Sequence, residues 1–225
     1  MPYYILIMYT TQAIMGVVGF IGFRKYKSFD KSLRIIEWYI ISSLIIDFID
    51  DVLIYKRIHT LWLNQCFNVI ELLLFSVIFY NWRTSKRNGF LIWCGFFFFL
   101  FIWIIGKYSF EPITGWDKYS GSVTQILQIG FGGWLLLGTL KETNIVWKED
   151  IRFWVLSGIV LYAVATFLIF GLFTEMLMEN RKLLLAIWPF NDLFIVIQYI
   201  FFLRAFLCNP INAGITNISQ TTHKE

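Results

Sequence analysis

Several acidic side chains lie well inside long apolar stretches of this chain, where an uncompensated charge is costly. They are Asp47, Asp50, Asp51, Glu71 and Asp192. Only one basic residue, Arg204, lies in such a stretch, and it is near the end. In an apolar environment a carboxylate is either protonated or holds a cation, and charges within membrane helices usually face the interior of a bundle. The pattern therefore predicts an acidic site for protons or cations.

Amide side chains accompany these acids at helical spacing. Residues three or four positions apart share one face of a helix. This spacing joins two sets, which are Asp47, Asp50 and Asp51, and Asn64, Asn68 and Glu71. The other amides expected at the site are Gln125, Gln128 and Asn191. We expect these residues, together with Asp192, to bind a ligand or an ion in one polar cavity.

The same polar residues can instead be interpreted as purely structural, and the sequence leaves both interpretations open. Asp50 and Asp51 lie ~6–8 Å from the predicted end of their helix, at 1.5 Å per residue, and so could be interfacial. Amides inside a membrane also hold helices together, at ~0.6–2 kcal/mol each. Glu71 and Asp192 lie deeper, at ~12–15 Å, with no basic partner inside the apolar stretches. For these two we favour a functional role.

The composition indicates which solvent surrounds the elements that carry these residues. The chain has 225 residues, of which 58% are hydrophobic and 15% charged, with a mean hydropathy of +0.64. Soluble domains carry about 25% charged residues, and so apolar a chain cannot remain disordered in water. The composition therefore excludes a soluble globule and favours a polytopic membrane protein, whose expected partner is the lipid bilayer.

Seven apolar stretches are long enough to cross a bilayer, which takes about 20 helical residues. They are residues 3–23, 35–55, 61–82, 89–106, 120–140, 153–173 and 183–206. Helices are expected because a backbone exposed to lipid must satisfy its own hydrogen bonds. The sequence thus predicts an all-α bundle of seven transmembrane helices, one domain over residues 1–208, with a polar cytoplasmic tail over 209–225.

The basic residues predict the orientation of this bundle. The loops after helices one, three and five and the C-terminal end carry 13 of the 19 Lys and Arg residues. Cytoplasmic loops are enriched in these residues. We therefore expect a cytoplasmic (inner) membrane location, with the N-terminus outside, the C-terminus in the cytoplasm and the cavity open to the outside. Because topology explains the net charge of +4, no nucleic-acid partner is expected.

The fourth helix differs from the others. It carries no polar side chain beyond Cys94, and residues 96–101 read FFFFLF, which is typical of a helix surrounded by lipid. We therefore expect helices one, two, three, five and seven to wall the cavity, with Thr11 and Gln12 as the contribution of helix one.

Helices one to three and five to seven share residues at equal spacing. Thr11-Gln12 precedes Gly19 as Thr124-Gln125 precedes Gly132, and Phe67-Asn68 precedes Phe79 as Phe190-Asn191 precedes Phe202. The pattern predicts two parallel three-helix repeats joined by a linker helix. Many transporters are built from repeats, with the binding site near the midplane between them.

Three helices, a linker helix and three more, with the N-terminus outside, resemble the SWEET sugar transporters and their PQ-loop and vitamin-uptake relatives. Asn64 ahead of Val69-Ile70-Glu71 is similar to the third SWEET helix, whose Asn lines the sugar pocket. The resemblance implies a carrier. The chain departs from the pattern because Pro189-Phe190-Asn191 replaces an adjacent Pro–Asn pair and the paired Pro–Gln motifs are missing. It equally resembles small seven-helix proteins of Phe/Ile/Lys/Asn-rich bacterial genomes.

Motifs for catalysis and cofactor binding are missing from the sequence. His59 and His223 fall in a loop and the tail, so no His-based metal site is expected. The sequence has no phosphate-binding glycine loop and no hydrolase motif. It also has no lysine inside an apolar stretch, which a retinal Schiff base would need. We therefore predict no catalytic residue and no cofactor, and leave any metal unassigned.

Three functions fit these features. The favoured one is a carrier for a small polar or cationic solute. The alternative is a sensory subunit that binds an extracellular ligand and signals through a cytoplasmic partner. The third is a membrane enzyme, because residues 47–51 resemble the Asp-rich motifs that hold Mg²⁺ in prenyltransferases. That chemistry needs a second Asp-rich helix, for which Asn191-Asp192 is a poor substitute, so an enzyme is the least favoured.

Overall fold

A computed structural model describes residues 2–83, 85–109, 111–115, 117, 119–142, 147–171 and 181–208. Within these ranges the chain is helical and contains no β-strand. The helices are α1 (Pro2–Lys25), α2 (Lys31–Tyr55), α3 (Leu61–Asn81), α4 (Lys86–Ser109), α5 (Tyr119–Lys141), α6 (Ile151–Thr166) and α7 (Arg181–Leu207). Short 3₁₀ turns follow α1 and precede α6. The all-α prediction is confirmed, while the tail predicted over residues 209–225 lies outside the described residues.

Each predicted apolar stretch coincides with one of the seven helices. Six of these helices are long and apolar enough to cross a membrane, as a multi-pass membrane protein requires. The exception is α2, which carries Glu37, Asp47, Asp50 and Asp51 along an otherwise apolar helix. The least apolar helix is therefore the one that brings the most acids into the bundle.

Local side-chain contacts define where two of the helices begin. Asp30 is the N-cap of α2 and accepts a hydrogen bond from the Leu33 N–H at 2.9 Å. Asp150 is the N-cap of α6 and accepts from the Arg152 N–H at 2.8 Å. Such caps satisfy a backbone donor that the helix leaves unpaired and stabilise it by about 0.5–2 kcal/mol. At its other end α6 continues as a π-helical turn, Phe167–Gly171.

Helix α4 lies at the periphery, as its sequence predicts. It packs against α3 and α5, where Phe96 and Phe99 are buried beside Leu72 of α3. Phe97 and Phe101 on its other side are about two-thirds exposed, at 62% and 63%. Such a large apolar surface would promote aggregation in water, but it is the expected surface of a helix that faces lipid.

An aromatic cluster fills the middle of the bundle. It consists of Tyr39 from α2, Phe75 and Phe79 from α3, and Tyr199 and Phe202 from α7, and each is at most 4% exposed. The Tyr39 ring lies 4.8 Å from that of Phe75 and 6.1 Å from that of Phe202, between ring centroids. We call this cluster the aromatic floor, because the cavity described below lies on one side of it.

Beyond the aromatic floor, described residues of α1, α2, α7 and the first turn close the opposite end of the bundle between these three helices. Phe29, in the turn between α1 and α2, stacks on Phe206 near the end of α7 with ring centroids 4.8 Å apart. Lys25 donates a hydrogen bond to the Phe206 carbonyl at 3.2 Å, and Arg34 donates to the Phe29 carbonyl at 3.0 Å. These contacts fasten the first turn of the chain to the last helix.

Candidate functional site

A cavity of about 500 Å³ lies between the helices on one side of the aromatic floor. Its wall is formed by the first half of α1 and α3, the second half of α2, the start of α5, the end of α6 and the middle of α7. Tyr39 and Tyr199 line it from the aromatic floor. Pockets of about 300–1,000 Å³ are the usual size for small organic ligands, so this one can hold far more than a single ion.

Nine of the ten residues predicted for the site line this cavity. They are Asp47, Asp50, Asp51, Asn64, Asn68, Glu71, Gln125, Asn191 and Asp192. The tenth, Gln128, is fully buried behind the wall, where its Nε2 donates to Glu71 Oε1 at 2.9 Å. Thr11 and Gln12 of α1 also line the cavity. The acids and amides of five helices therefore share one space.

The wall also includes residues that the sequence did not indicate. Tyr162, Thr166 and Phe167 bring α6 into the wall, although only helices one, two, three, five and seven were expected there. Their spacing puts Tyr162 and Thr166 on one helix face, but Tyr and Thr are common in membrane helices and gave no distinctive signal. Asp117, in the loop between α4 and α5, completes the wall.

The carboxylates differ in how deeply they are buried. Glu71 and Asp192 are 4% and 6% exposed, while Asp47, Asp50 and Asp51 are half-buried nearer the end of α2. Asp51 accepts a hydrogen bond from Gln12 Nε2 at 3.1 Å, which links α2 to α1. No Lys or Arg is among the described residues that line the cavity. The wall therefore presents several carboxyl groups without a basic side chain among them.

A separate charged network fixes the loop between α4 and α5, from which Gly115 and Asp117 line the cavity. Lys107 Nζ lies 3.2 Å from Glu111 Oε2 and 3.4 Å from Asp117 Oδ1. The Ser120 hydroxyl lies within hydrogen-bond distance of both carboxylates. Asn68 donates to Asp117, and Gln65 Nε2 donates to the Gly115 carbonyl at 2.7 Å. The loop is thus bound to α3 as well as to the two helices that it joins.

Glu111 is held in its charged form by this network. Burial by itself raises the pKa of its carboxyl group. Hydrogen bonds from the Ser120 side chain and the Tyr119 N–H, together with the positive charge of Lys107, outweigh burial and lower the pKa below its ordinary value of 4.5. Glu111 therefore contributes an anion that the loop requires.

Replacing Glu111 with glutamine should cost about 1.5–3 kcal/mol at neutral pH, because a neutral amide accepts these hydrogen bonds more weakly. The folded pKa lies below the unfolded one, so the contribution is present above pH 4.5 and is lost as pH falls through the folded value. Melting temperatures of the wild type and Glu111→Gln, measured in detergent, should converge as pH falls below 4.5. A difference between the two melting temperatures that does not change with pH would contradict this assignment of a charged Glu111.

Another buried carboxylate, Glu37, lies near the opposite end of the bundle, away from the cavity. It is two residues inside the predicted second stretch and was not among the expected site residues. The structure buries it completely, and neither carboxylate oxygen has a hydrogen-bond partner among the described residues. It packs against Gly22 of α1 and Phe206 of α7. Glu37 is therefore part of the helix interface and not of the cavity.

The acids do not converge on a metal ion. Among the described residues, no group of three or more His, Cys, Asp or Glu side chains is arranged to hold one. The carboxylates are instead distributed along the wall, between amides and aromatic rings. This arrangement suits a ligand that contacts several helices at once.

Comparison with known proteins adds no relative to this picture. No family model, no curated protein and no solved structure matches the chain. The resemblance to SWEET transporters therefore rests on the sequence features given above, and the function has to be argued from the cavity itself.

Proposed function

We propose that the protein carries a small polar or cationic solute across the cytoplasmic membrane, with the acidic cavity as its binding site. The observation that supports this most strongly is that Asp47, Glu71 and Asp192, from three different helices, line one cavity of about 500 Å³. With the N-terminus outside and the C-terminus in the cytoplasm, this cavity opens outward. Acids are retained inside a membrane mainly where they bind or move something.

The packing of the helices is consistent with two parallel three-helix units. The contact of α1 with α2 corresponds to that of α5 with α6, and α2 with α3 corresponds to α6 with α7. The two units meet where α3 packs on α5 and α7 packs on α1. Each of these four contacts thus has a counterpart after exchange of the units, and α4 remains outside as the linker. The binding site of a repeat-built carrier lies between its units, as this cavity does.

Individual residues support the same correspondence. At Gly19 of α1, Ile40 of α2 lies 3.1 Å from the position that a Cβ would take, and at Gly132 of α5, Val160 of α6 lies at 2.9 Å. The two glycines are equivalent in the predicted repeat, and each lets its helix approach the next one closely. The equivalent amides Gln12 and Gln125 line the cavity, as do Asn68 and Asn191.

Uptake by proteoliposomes tests the proposal. The probes are radiolabelled agmatine, putrescine, tetramethylammonium, glucose and glycerol. We expect uptake of at least one of them, reduced at least about tenfold by Glu71→Gln or Asp192→Asn, since a hydrogen bond to a charged group contributes about 1.5–3 kcal/mol. Glu142→Gln is the matched control, because Glu142 lies at the opposite end, 38% exposed in an ion pair with Arg152.

Two results would exclude this proposal. One is uptake no faster than in liposomes without protein for every probe. The other is uptake that Glu71→Gln and Asp192→Asn leave as fast as Glu142→Gln does.

A sensory subunit is the second candidate, and the closed opposite end favours it. The aromatic floor and the Phe29–Phe206 stack separate the cavity from that end, so a ligand could bind without passing through. The basic residues around the first turn would then dock a cytoplasmic signalling protein. Binding of a probe without uptake, together with a stoichiometric cytoplasmic partner recovered from membranes, would favour this function over transport.

A further inference from the structure

Three amides of the cavity wall, and Gln128 behind it, donate to acceptors of the protein itself. Gln12 donates to Asp51 and Gln128 donates to Glu71. Gln65 Nε2 donates to the Gly115 carbonyl, which fixes the orientation of that amide and leaves Oε1 as its acceptor. The Asn68 amide donates to Asp117. These four amide nitrogens are therefore already engaged within the protein.

The polar atoms left over in the wall are mostly acceptors. Six oxygens are buried without a hydrogen-bond partner among the described residues, and each belongs to a cavity-lining side chain less than a tenth exposed. Two are the hydroxyls of Thr166 and Tyr199, which can donate or accept, and the other four can only accept. These four are Gln65 Oε1, Gln125 Oε1, Asn191 Oδ1 and Asp192 Oδ2. One nitrogen donor, Gln198 Nε2, is also buried in the wall without a hydrogen-bond partner among the described residues. Water can satisfy these atoms, and a ligand that displaces the water must supply the same hydrogen bonds or lose affinity.

The charged groups of the wall favour the same kind of ligand as its unpaired oxygens do. The acids of the cavity face no Lys or Arg within the described wall. Asp117 is the exception, because Lys107 pairs with it from behind. A ligand that complements the remaining acids is positively charged, and one that complements the unpaired oxygens carries N–H groups.

The size of the cavity and its aromatic side chains favour a ligand larger than a bare ion. The volume of about 500 Å³ far exceeds that of a metal ion. Tyr39, Phe67 and Tyr162 contribute ring surfaces to the wall, which pack against methylene or aromatic groups and also attract cations through their faces. The wall therefore fits an organic body as well as a charged, donor-rich head.

From the unpaired acceptor oxygens and the acids without a basic partner in the wall we infer that the cavity binds an organic cation rich in N–H groups, that is, a protonated primary amine or a guanidinium compound. This inference rests on the proposed carrier function and narrows its solute class. A quaternary ammonium ion has the charge without the donors, and a sugar has donors without the charge. Each would leave part of the wall unsatisfied, and sites built to hydrogen-bond a ligand strongly reject analogues that lack the matching group.

Calorimetric titration of the purified full-length protein in nanodiscs tests this inference. The probes are agmatine and putrescine, with tetramethylammonium, glucose and magnesium chloride as comparisons. We expect agmatine to bind at least about 100-fold more tightly than tetramethylammonium. Asn191→Leu, which removes an unpaired acceptor without changing charge, should weaken agmatine binding about tenfold and leave tetramethylammonium binding unchanged. A merely structural role for Asn191 would weaken both equally.

The outcomes separate this inference from the proposed function. Tetramethylammonium or glucose binding as tightly as agmatine would overturn the donor-rich cation while leaving a carrier of other solutes in place. Absence of agmatine and putrescine binding at millimolar concentration would also overturn it. Failure of every solute to enter proteoliposomes, with agmatine still bound selectively, would instead overturn the carrier. Size-exclusion profiles and melting temperatures identify any variant that has failed to fold.

Discussion

Lys107→Met should destabilise the protein by about 3–5 kcal/mol, the range for a buried ion pair that loses one partner. The side chains of Lys107 and Glu111 are 8% and 3% exposed, and that of Asp117 is 13% exposed. Removing the ammonium group leaves two carboxylates close together beside Ser120, with no other cation paired to them in the part of the chain that the structure describes. At about 2–4 °C for each kcal/mol in a chain of this length, the melting temperature in detergent should fall by about 10 °C.

The matched experiment removes all three charges. In Lys107→Met/Glu111→Gln/Asp117→Asn no uncompensated charge remains, and neutral replacements of buried ion networks often retain stability. We expect this triple variant to regain much of the lost melting temperature. If Lys107→Met melted with the wild type, or if the triple variant were worse than the single one, the loop would not depend on this ion network.

The second large effect is expected at Gly22, where α1 passes Glu37. A Cβ at this position would lie 1.9 Å from Glu37 Oε2 and 2.7 Å from Phe206 Cε2. Glu37 is fully buried beside Gly22 and Phe206, so a methyl group added here has to displace packed side chains. Gly22→Ala should therefore cost about 1–3 kcal/mol through overpacking, with a corresponding drop in the melting temperature measured in detergent.

Gly16 provides the control in the same helix. A Cβ at Gly16 meets nothing within 4 Å, so Gly16→Ala should be neutral or stabilise the helix by about 0.5–1 kcal/mol. Combining Gly22→Ala with Glu37→Ala should show positive coupling, because the second change removes the atom that the first one meets. Equal effects of Gly16→Ala and Gly22→Ala would rule out the close approach.

Hydropathy was sufficient to locate the helices of this fold, because a membrane helix has to be both long and apolar. The acids and amides of α2, α3 and α7 could be assigned to one cavity for a related reason, since a carboxylate such as Glu71 is too costly to face lipid. This argument needs no knowledge of the packing. It applies only to residues, such as buried acids, that are energetically costly inside a membrane.

Other parts of the site depend on tertiary contacts that no such rule reveals. Gln128 was expected in the cavity but lies behind Glu71, because the rotation of α5 determines which residue faces inward. Tyr162 and Thr166 are chemically ordinary in a membrane helix, and only the position of α6 makes them part of the wall. In the sequence, Lys107 cannot be distinguished from the other charged residues of the loops. Its burial between two acids follows from the way its loop folds over α3.

The depth of Glu71 has an electrical consequence. Glu71 is the eleventh of the 21 residues of α3, and so lies halfway along a helix long enough to cross the bilayer. For a potential that falls evenly along the helix, a cation that reaches this carboxylate from the cavity end has crossed roughly half of the membrane field. Moving one elementary charge across the whole membrane changes its energy by about 2.3 kcal/mol per 100 mV. At 100 mV, half of this crossing alters the occupancy of the site about sevenfold. For a cationic solute, filling of the cavity is therefore driven in part by the membrane voltage, before any helix moves.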